Sequence, residues 1–545
     1  MTKWTCLGLM VLTFGMAGCS SQSPNIETWL DHPHEVAVLS QPAEAACPGG
    51  PRPQVGAAWK LALPGGVQPS RAPLPATEAE HHLFRNLYET LIRVDCQGQV
   101  TGGLAESWQA YEGGRIWVMN LRDKAEFWDG EPVTASKVIA SWRRAAAVCR
   151  LRAEPSPFLL FDPNGQALEA LSNRELVIRL RQPSDRLPLH LAHPALAIVG
   201  SPGNQGWLEG SGPCRPASPI RQQQLVLEPH EGHPLAPIWE QLTVQFGELD
   251  DTRGLLDDGF QALVTRDRRT LDYFAERHGT SLEALPWDRR YYLVVPEQED
   301  TDRMRWTAGW NRLELAREVA THDAEPATFF EHEPLNAPAP ELPPHVPVLY
   351  NPGLTDVAAL ASRDRDLLLW PADDPEAGHL AERLALIAGR PIRPGTEIPG
   401  RGPLTPPNQP GPGFAPEAAL VPGTDLPAHI QAGKAGAMVL PWPRRFPESS
   451  TELARLLSLA QWLQDMAQDN STDIGTIPPG ATAASPLDKV PPPLALAQAR
   501  RLELTDTVQP LIQSRAQLIR VPDLVGLTSS YDGSLRLWTG GWRRR

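Results

Sequence analysis

The chain is long, acidic and rich in proline. Its 545 residues are too many for one hydrophobic core, so two or three domains are expected. Hydrophobic residues make up 41% and charged residues 21%, which is typical of a soluble globular protein, whereas 58 prolines are about twice the usual share. The formal charge of -14 is spread along the chain, which excludes a nucleic-acid partner because such binding needs clustered Lys and Arg.

The first residues have the three-part layout of a secretory signal peptide. Lys3 is basic, residues 4–14 are apolar and uncharged, and small residues precede Cys19. The apolar stretch is too short to span a bilayer as a finished helix. A cysteine directly after small residues resembles the lipobox of bacterial lipoproteins, in which the thiol is acylated. We therefore expect residues 1–18 to be a signal peptide and residues 19–56 to be a lipidated tether.

Four cysteines remain in the body once the signal peptide is removed and Cys19 carries the lipid. An even number in an oxidising compartment predicts two disulfides, with three pairings left open. There is no Cys-x-x-Cys spacing, so a metal or redox site is not indicated. The disulfide candidates are Cys47, Cys96, Cys149 and Cys214.

Short strands and helices alternate along the first half of the chain. Residues 57–63, 115–122, 176–180, 224–227 and 291–295 have the composition of strands. Helical spacing covers residues 80–92 and 134–147, and residues 94–100 predict a hairpin. This alternation indicates a mixed α/β or α+β protein.

The second half contains two stretches that break this pattern. Residues 391–423 are dense in Pro and Gly and predict a long surface loop, because proline lacks the amide donor. Residues 477–493 predict a connection between lobes, and residues 450–467 have helical spacing. A last pair of strands is expected around residues 517–519 and 535–538.

Residues 82–144 resemble extracellular solute-binding protein family 5, the oligopeptide, dipeptide and nickel receptors. Five matching sequence motifs occur in the family's order and spacing: FRNLYETL at 84–91, GLAESW at 103–108, WVMNLR at 117–122, FWDGEPVTA at 127–135 and SWRR at 141–144. Thinner matches lie at residues 210–213 and 350–353. Most of these motifs are expected to have a structural role, because the tryptophans at 108, 117, 128 and 142 are expected to be core aromatics.

The resemblance implies a two-lobed, periplasmic-binding-protein-like α/β fold of type II, in the peptide-receptor subclass. The main part of the first lobe would take residues 57–80, 200–287 and 503–545, and its second subdomain residues 81–199. The second lobe would take residues 288–502.

Such a protein would be a monomeric, lipid-anchored receptor on the periplasmic side of the cell envelope. It would bind a small solute, a class that includes peptides, between its lobes and deliver it to an ABC permease for import. No cofactor is implied.

The ligand-contacting residues implied by the resemblance are few. Peptide receptors of this family carry an aromatic residue followed by an aspartate that pairs with the peptide ammonium group. Trp442 stands at the aromatic position, but Arg444 and Arg445 follow it instead of an aspartate, which favours a carboxylate or phosphate. The alternative is that both arginines are solvated. Phe158 resembles a pocket aromatic, with a core role as the alternative.

Catalytic and metal-binding motifs are missing from the sequence. The histidines lack the helical spacing with a carboxylate that a zinc hydrolase uses, and there is no nucleophile elbow or phosphate loop. The protein is therefore not expected to be an enzyme. The alternative function is a degenerate lipoprotein with a structural or interaction role, and Ser20 after the acylated cysteine favours outer-membrane sorting in a Gram-negative cell.

Overall fold

The computed structural model describes thirteen ranges of the chain. These are residues 56–95, 99–151, 157–158, 160–203, 206–247, 252–294, 312–319, 324–326, 364–371, 374–388, 417–421, 435–443 and 508–543.

The strands fall into three groups along the chain. The first group is β1 (Ala58–Pro64), β2 (Ile92–Val94), β3 (Val100–Gly102), β4 (Ala105–Tyr111), β5 (Ile116–Leu121), β6 (Leu168–Ala170), β7 (Glu175–Arg179), β8 (Cys214–Pro216), β9 (Gln224–Pro229), β10 (Gln241–Gly247), β11 (Ala262–Thr265) and β12 (Ser281–Ala284). The second is β13 (Arg289–Val294), β14 (Ala324–Pro326), β15 (Asp364–Pro371), β16 (Glu417–Val421), β17 (Ala435–Pro443) and β18 (Val508–Ser514). The third is β19 (Gln517–Arg520), β20 (Leu524–Val525), β21 (Thr528–Ser529), β22 (Leu535–Arg536) and β23 (Gly541–Trp542).

The α-helices of the described residues are few and mostly short. They are α1 (Glu78–Leu87), α2 (Ala135–Leu151), α3 (Leu187–Leu191), α4 (Arg268–Ala275), α5 (Arg312–Val319) and α6 (Pro375–Ala388). Most of the expected elements of the first half are confirmed, but the helix expected over residues 80–92 ends at Leu87. Tyr88 is extended there, with φ -129° and ψ 128°, so the chain can enter β2.

The first lobe is built on a mixed seven-stranded sheet in the order β12-β19-β11-β1-β10-β9-β8. The central strand β1 runs parallel to β10 and β11, and the outer strands pair antiparallel. Leu61 and Leu63 of β1 and Leu83 of α1 are fully buried in its core, which also contains Trp59. A parallel centre covered by helices explains why β1 is a nearly continuous apolar run.

A smaller subdomain of the first lobe contains an antiparallel four-stranded sheet in the order β4-β5-β7-β6. Trp108, Trp117 and Trp142 are buried in its core, which confirms the structural role expected of these three residues. Trp128 is only half-buried and packs against the core of the main sheet.

The second lobe is built on a mixed six-stranded sheet in the order β14-β18-β13-β17-β15-β16. Helices α5 and α6 bury Leu315, Leu380 and Leu384 against it. Strand β16 lies inside the stretch expected to be a surface loop, so that expectation is wrong for Glu417–Val421. This segment contains no proline and pairs in parallel with β15. The expected helix at 450–467 and connection at 477–493 lie outside the described residues.

The chain crosses between the two large sheets at residues 285–288 and again at residues 515–516. The two crossing segments touch, because the guanidinium group of Arg515 lies 4.6 Å from the centre of the Trp287 ring.

The packing differs from the expected domain boundaries at two places. Helix α1 belongs to the main core although residue 81 was expected to open the second subdomain, and β18 pairs in the second sheet although that lobe was expected to end at residue 502.

One of the four candidate cysteines, Cys214, does not follow the disulfide expectation. Cys214 is a free thiol in the main core, so the prediction of a disulfide there is wrong. Cys149 lies in a separate cluster with Leu74 and Ala195. Burial raises the pKa of the Cys214 thiol, which makes it a small apolar side chain. Cys19, Cys47 and Cys96 lie outside the described residues.

Candidate functional site

Charged side chains from both lobes meet beside the two crossing segments. The first lobe and the first crossing segment contribute Glu78, Arg266 and Asp288, and the second lobe contributes Arg289, Tyr291, Asp374, Glu376 and Ser514. We refer to these eight residues as the junction cluster. Buried charges are costly unless they are paired and hydrogen-bonded, so the partners of each member decide what the cluster can do.

Glu78 is positioned by the N-terminus of α1. Thr77 caps this helix by accepting a hydrogen bond from the backbone N–H of Glu80, and the Glu80 carboxylate accepts one from the N–H of Thr77. This capping box fixes the first turn and places Glu78 at the positive end of the helix dipole. Glu78 is thereby held at the face of the first lobe that meets the second.

Arg266 follows β11 and connects the two lobes. Its Nε lies 3.1 Å from Glu78 Oε2, its Nη2 lies 2.5 Å from Asp288 Oδ2, and its Nη1 donates to Ser514 Oγ at 3.1 Å. Burial would lower the pKa of Arg266, but the carboxylates of Asp288 and Glu78 outweigh it and raise the pKa. The guanidinium group is therefore a permanent cation at the junction.

Arg289, at the start of β13, supplies the second cation. Its Nη2 lies 3.3 Å from Glu78 Oε2 and its Nη1 lies 2.7 Å from Asp374 Oδ2, so it also joins the lobes. Burial alone would raise the pKa of Glu78, but Arg266, His82 and Arg289 together hold it well below its ordinary value. Glu78 is thus an ionised carboxylate bridging two guanidinium groups.

A phenol and two carboxyl groups complete the second-lobe side. Asp374 caps α6 by accepting the N–H of Ala377 at 3.0 Å. Tyr291 Oη lies 2.9 Å from Asp374 Oδ1 and 2.8 Å from Glu376 Oε2. Burial, the largest cause, and the nearby Asp374 charge raise the pKa of Glu376 to about 7, although Arg266 opposes them. Glu376 therefore titrates near neutrality.

The junction cluster has more carboxyl groups than guanidinium groups. Glu78, Asp288, Asp374 and Glu376 face the guanidinium groups of Arg266 and Arg289, and His82 also approaches Glu78 at 3.9 Å. Asp288 Oδ1 is buried and has no hydrogen-bond partner among the described residues. The cluster is therefore an electrostatically negative boundary between the lobes that can accept a proton or a cation.

The structure places the expected ligand-contacting residues at different points. Trp442 lies on β17, where its backbone is opposite Arg290 of β13, at the end of the second sheet that carries Arg289. Phe158 lies in the core of the small subdomain, with its ring 6.3 Å from Trp142 and 5.7 Å from Phe161, which is the core role considered from the sequence. Arg444 and Arg445 lie outside the described residues.

Sequence reasoning missed the junction cluster because its members are far apart in the chain. Glu78 and Arg266 are 188 residues apart, and Glu376 and Ser514 are 138 apart. The only local signal was the charged run at residues 288–290, at the expected start of the second lobe. A charged run is usually solvated, so this signal was weak.

A second cluster fixes α1 to the C-terminal tail and has a structural role. Asn86 donates to the carbonyl of Leu535 and accepts the N–H of Leu537, each at 2.8 Å. Nearby, the Glu89 carboxylate forms a bidentate pair with Arg122 and contacts His233 at 3.1 Å. These contacts explain why the motif at residues 84–91 has polar side chains on one face although it lies inside the lobe.

The described residues contain neither a cluster of metal-ligating side chains nor a membrane-spanning helix. They contain no group of three or more His, Cys, Asp or Glu side chains arranged to hold a metal ion. Within the same part of the chain, none of the helices combines the length and hydrophobicity that a bilayer crossing requires.

Comparison with known proteins supports the resemblance seen in the sequence. Residues 99–260 match the family model for bacterial extracellular solute-binding proteins, family 5 Middle. The periplasmic murein peptide-binding protein MppA of Escherichia coli is 33% identical over 125 residues, covering 23% of this chain and 21% of the relative. The resemblance to family 5 is confirmed. The aligned part is nevertheless only about a fifth of the length of this curated family 5 relative.

Two solved structures of binding proteins share the fold over most of the chain. The Escherichia coli murein tripeptide binding protein MppA superposes with a TM-score of 0.63 at 16% identity, covering 90% of this chain and 100% of the other. Haemophilus influenzae OppA in complex with the peptide RPPGFSPFR gives a TM-score of 0.62 at 13% identity, covering 90% and 100%. The two-lobed α/β fold is therefore confirmed, and these relatives are binding proteins rather than enzymes.

Proposed function

We propose that this protein is an extracytoplasmic receptor that captures a small solute, specifically a peptide, between its two lobes for an ABC importer. The observation that carries the proposal is the pair of sheets. Within the described chain, the backbone passes from one sheet to the other only at residues 285–288 and 515–516. Two lobes joined in this way can close around a ligand by a small backbone rotation at the crossings. The peptide and tripeptide named for the related proteins supply the ligand class.

The proposed ligand contacts lie at the junction end of the second sheet. Trp442 is the second-to-last residue of β17 and is paired with Arg290, next to Arg289, so a ligand held there would lie next to the junction cluster. Arg444 and Arg445 follow in the sequence, and guanidinium groups recognise carboxylates by paired hydrogen bonds. The carboxylate end of the peptide would therefore bind toward Arg444 and Arg445, and its ammonium group would face the surplus carboxyl groups of the cluster.

The receptor would work at a membrane surface. Acylation of Cys19 would anchor it, residues 19–56 would form the tether, and an ABC permease would be its partner. Ser20 supports placement in the outer membrane of a Gram-negative cell. Phe158 would line the pocket only after a rearrangement of the small subdomain, because its ring packs against Trp142 and Phe161.

A melting-temperature screen tests the receptor function. A ligand that binds only the folded state stabilises it by about 2.7 kcal/mol when its concentration is about 100 times the Kd. We expect di- to pentapeptides, including the murein tripeptide, to raise the Tm of the full chain, and sugars to leave it unchanged. A screen in which no peptide changes the Tm would contradict the receptor and favour the degenerate lipoprotein with an interaction role.

The double variant Arg444→Ala/Arg445→Ala tests the proposed polarity of the ligand. Loss of a charge-assisted hydrogen bond costs about 1.5–3 kcal/mol, so the Kd for a peptide with a free carboxylate should rise roughly tenfold or more. A peptide amide of the same sequence is the matched control and should be affected much less. Equal losses for the acid and the amide would show that the arginines do not bind the carboxylate.

A further inference from the structure

We propose that the first lobe contains a second binding site, separate from the space between the lobes, which takes a tetrahedral oxyanion of the phosphate class. The site is a cavity where α1, β2 and the C-terminal tail meet, and Arg85, Arg93, Ser530 and Arg536 line it. All of its described lining residues belong to the first lobe. The proposal goes beyond the receptor function and does not rest on it.

The cavity has the scale of one small anion. Its volume is about 40 Å³. A buried water needs about 10–15 Å³, so the cavity has room for roughly three waters and is far too small for a peptide. Among its lining residues, Arg93, Leu235 and Trp538 are half-buried, so the cavity lies close to the surface of the first lobe. A small anion can therefore reach it from solvent.

The charged side chains that line the cavity are mostly cationic. Four are present among the described residues, and three of them are the arginines. The fourth, Glu89, accepts hydrogen bonds from Arg122 at 2.9 and 2.8 Å, so its negative charge is compensated outside the cavity. Asp532 lies 3.2 Å from Arg85 and offsets one of the three positive charges. The lining therefore favours an anion over a neutral molecule or a cation.

Backbone carbonyl groups hold the three guanidinium groups in place. Each arginine donates one N–H to a neighbouring segment: Arg85 Nη1 to Ala192 at 3.1 Å, Arg93 Nε to Gly102 at 2.9 Å and Arg536 Nη2 to Val94 at 2.9 Å. A carbonyl orients a guanidinium group without neutralising it, and each group has five N–H donors. The Nη2 of Arg85 has no partner in the described part of the chain, so its two N–H groups remain for a ligand.

Ser530 supplies evidence that is independent of the charges. It is only 6% exposed and lines the cavity, and its hydroxyl has no hydrogen-bond partner among the residues that the structure describes. The nearby Ser534 differs, because its hydroxyl donates to Asp532 at 2.6 Å. A buried hydroxyl without a partner is costly unless water or a ligand satisfies it. The Ser530 O–H is therefore available to donate to an oxyanion.

The arrangement of the donors favours a phosphate over a carboxylate. The arginines lie on α1, β2 and β22, and Ser530 lies in the loop between β21 and β22, so the donors come from four separate segments. A carboxylate has two oxygens, which a single guanidinium group can occupy as a bidentate pair. A phosphate has more acceptor oxygens and can bind several guanidinium groups at once. A bound phosphate would connect α1, β2 and the C-terminal tail.

Isothermal titration calorimetry of the full chain with inorganic phosphate, at constant ionic strength, tests the site. We expect one-to-one binding with a Kd of about 1 mM or below, and binding of acetate that is about tenfold weaker or more. Ser530→Ala and Arg93→Gln should each raise the Kd for phosphate about tenfold, because each removes a donor to a charged acceptor. Ser530→Ala removes no hydrogen bond of the described chain, so it should fold as the wild type does.

The matched control is Ser529→Ala, which changes the adjacent, half-buried serine outside the cavity and should leave the Kd for phosphate unchanged. Lack of saturable phosphate binding to the wild type at about 10 mM overturns the site. So does phosphate binding that either Ser530→Ala or Arg93→Gln leaves unchanged, or an equal Kd for acetate and phosphate.

The double variant Arg444→Ala/Arg445→Ala separates this site from the proposed peptide site. It should bind phosphate as the wild type does, because neither arginine is among the residues that line the cavity. Loss of phosphate binding in this variant would place the anion at the peptide site and overturn the proposal. Failure of peptide binding leaves the phosphate measurements unchanged, since no peptide is present in them.

Discussion

Replacement of Arg266 by alanine is expected to lower the free energy of unfolding by about 3–5 kcal/mol, the usual cost of removing one partner from a buried ion pair. The change deletes contacts to Glu78, Asp288 and Ser514 in one step. Asp288 Oδ2 would lose its ion pair with Arg266. Asp288 Oδ1 already has no hydrogen-bond partner in the described part of the chain, so the buried carboxylate would be poorly compensated. Urea unfolding of the full chain measures the loss.

Arg269→Ala is the matched control for this measurement. Arg269 lies three positions further along the same segment and is exposed, so its loss should change the unfolding free energy by less than about 0.5 kcal/mol. Equal effects of the two substitutions would show that the buried pairs of Arg266 contribute no more than a surface charge. The junction cluster would then not hold the lobes together.

The contribution of Glu376 to the free energy of unfolding is expected to fall by about 3 kcal/mol between pH 4.5 and pH 7. Its folded pKa of about 7 exceeds the ordinary value of 4.5, so the folded state binds the proton more tightly. The stabilising contribution is therefore complete below pH 4.5 and is lost as the pH rises through about 7. Thermal unfolding of the wild type and of Glu376→Gln at a series of pH values measures this contribution, because the stability difference between the two proteins should change by that amount over the range.

Glu78 contributes with the opposite sign on the acidic side. Its pKa is lowered in the folded state, so the stability that it supplies is present above its ordinary pKa and is lost as the pH falls well below 4.5. Glu78 and Glu376 therefore contribute to the pH dependence with opposite signs on the two sides of pH 4.5. A stability that rises steadily from pH 4.5 to pH 7 in the wild type, unchanged by Glu376→Gln, would contradict the assignment of the proton.

The sequence predicted the scaffold well because scaffold signals are local. Alternating and helical apolar spacing located β1, β5 and α2, and the tryptophans at 108, 117 and 142 are core residues as expected. The strand β16 was missed because the surrounding prolines and glycines outweighed its short apolar run. The free thiol of Cys214 was missed because an even number of cysteines says nothing about the distances between them.

The junction cluster could not be predicted in the same way. Whether Arg266 or Glu376 is buried depends on how two lobes meet, and that arrangement pairs residues more than a hundred positions apart. The pKa of Glu376 also depends on burial and on Asp374 together, and neither is visible in a periodic pattern. The sequence does contain a charged run at residues 288–290, beside the first crossing segment, and two members of the cluster, Asp288 and Arg289, lie in that run.

Isothermal titration calorimetry of the full chain with di- to pentapeptides, including the murein tripeptide, tests the central claim most directly. A receptor that encloses its ligand should give saturable one-to-one heats with a Kd of about 1 μM or below, and a negative change in heat capacity as apolar surface is buried. Absence of saturable heat with every peptide at concentrations of about 1 mM would contradict solute capture between the lobes.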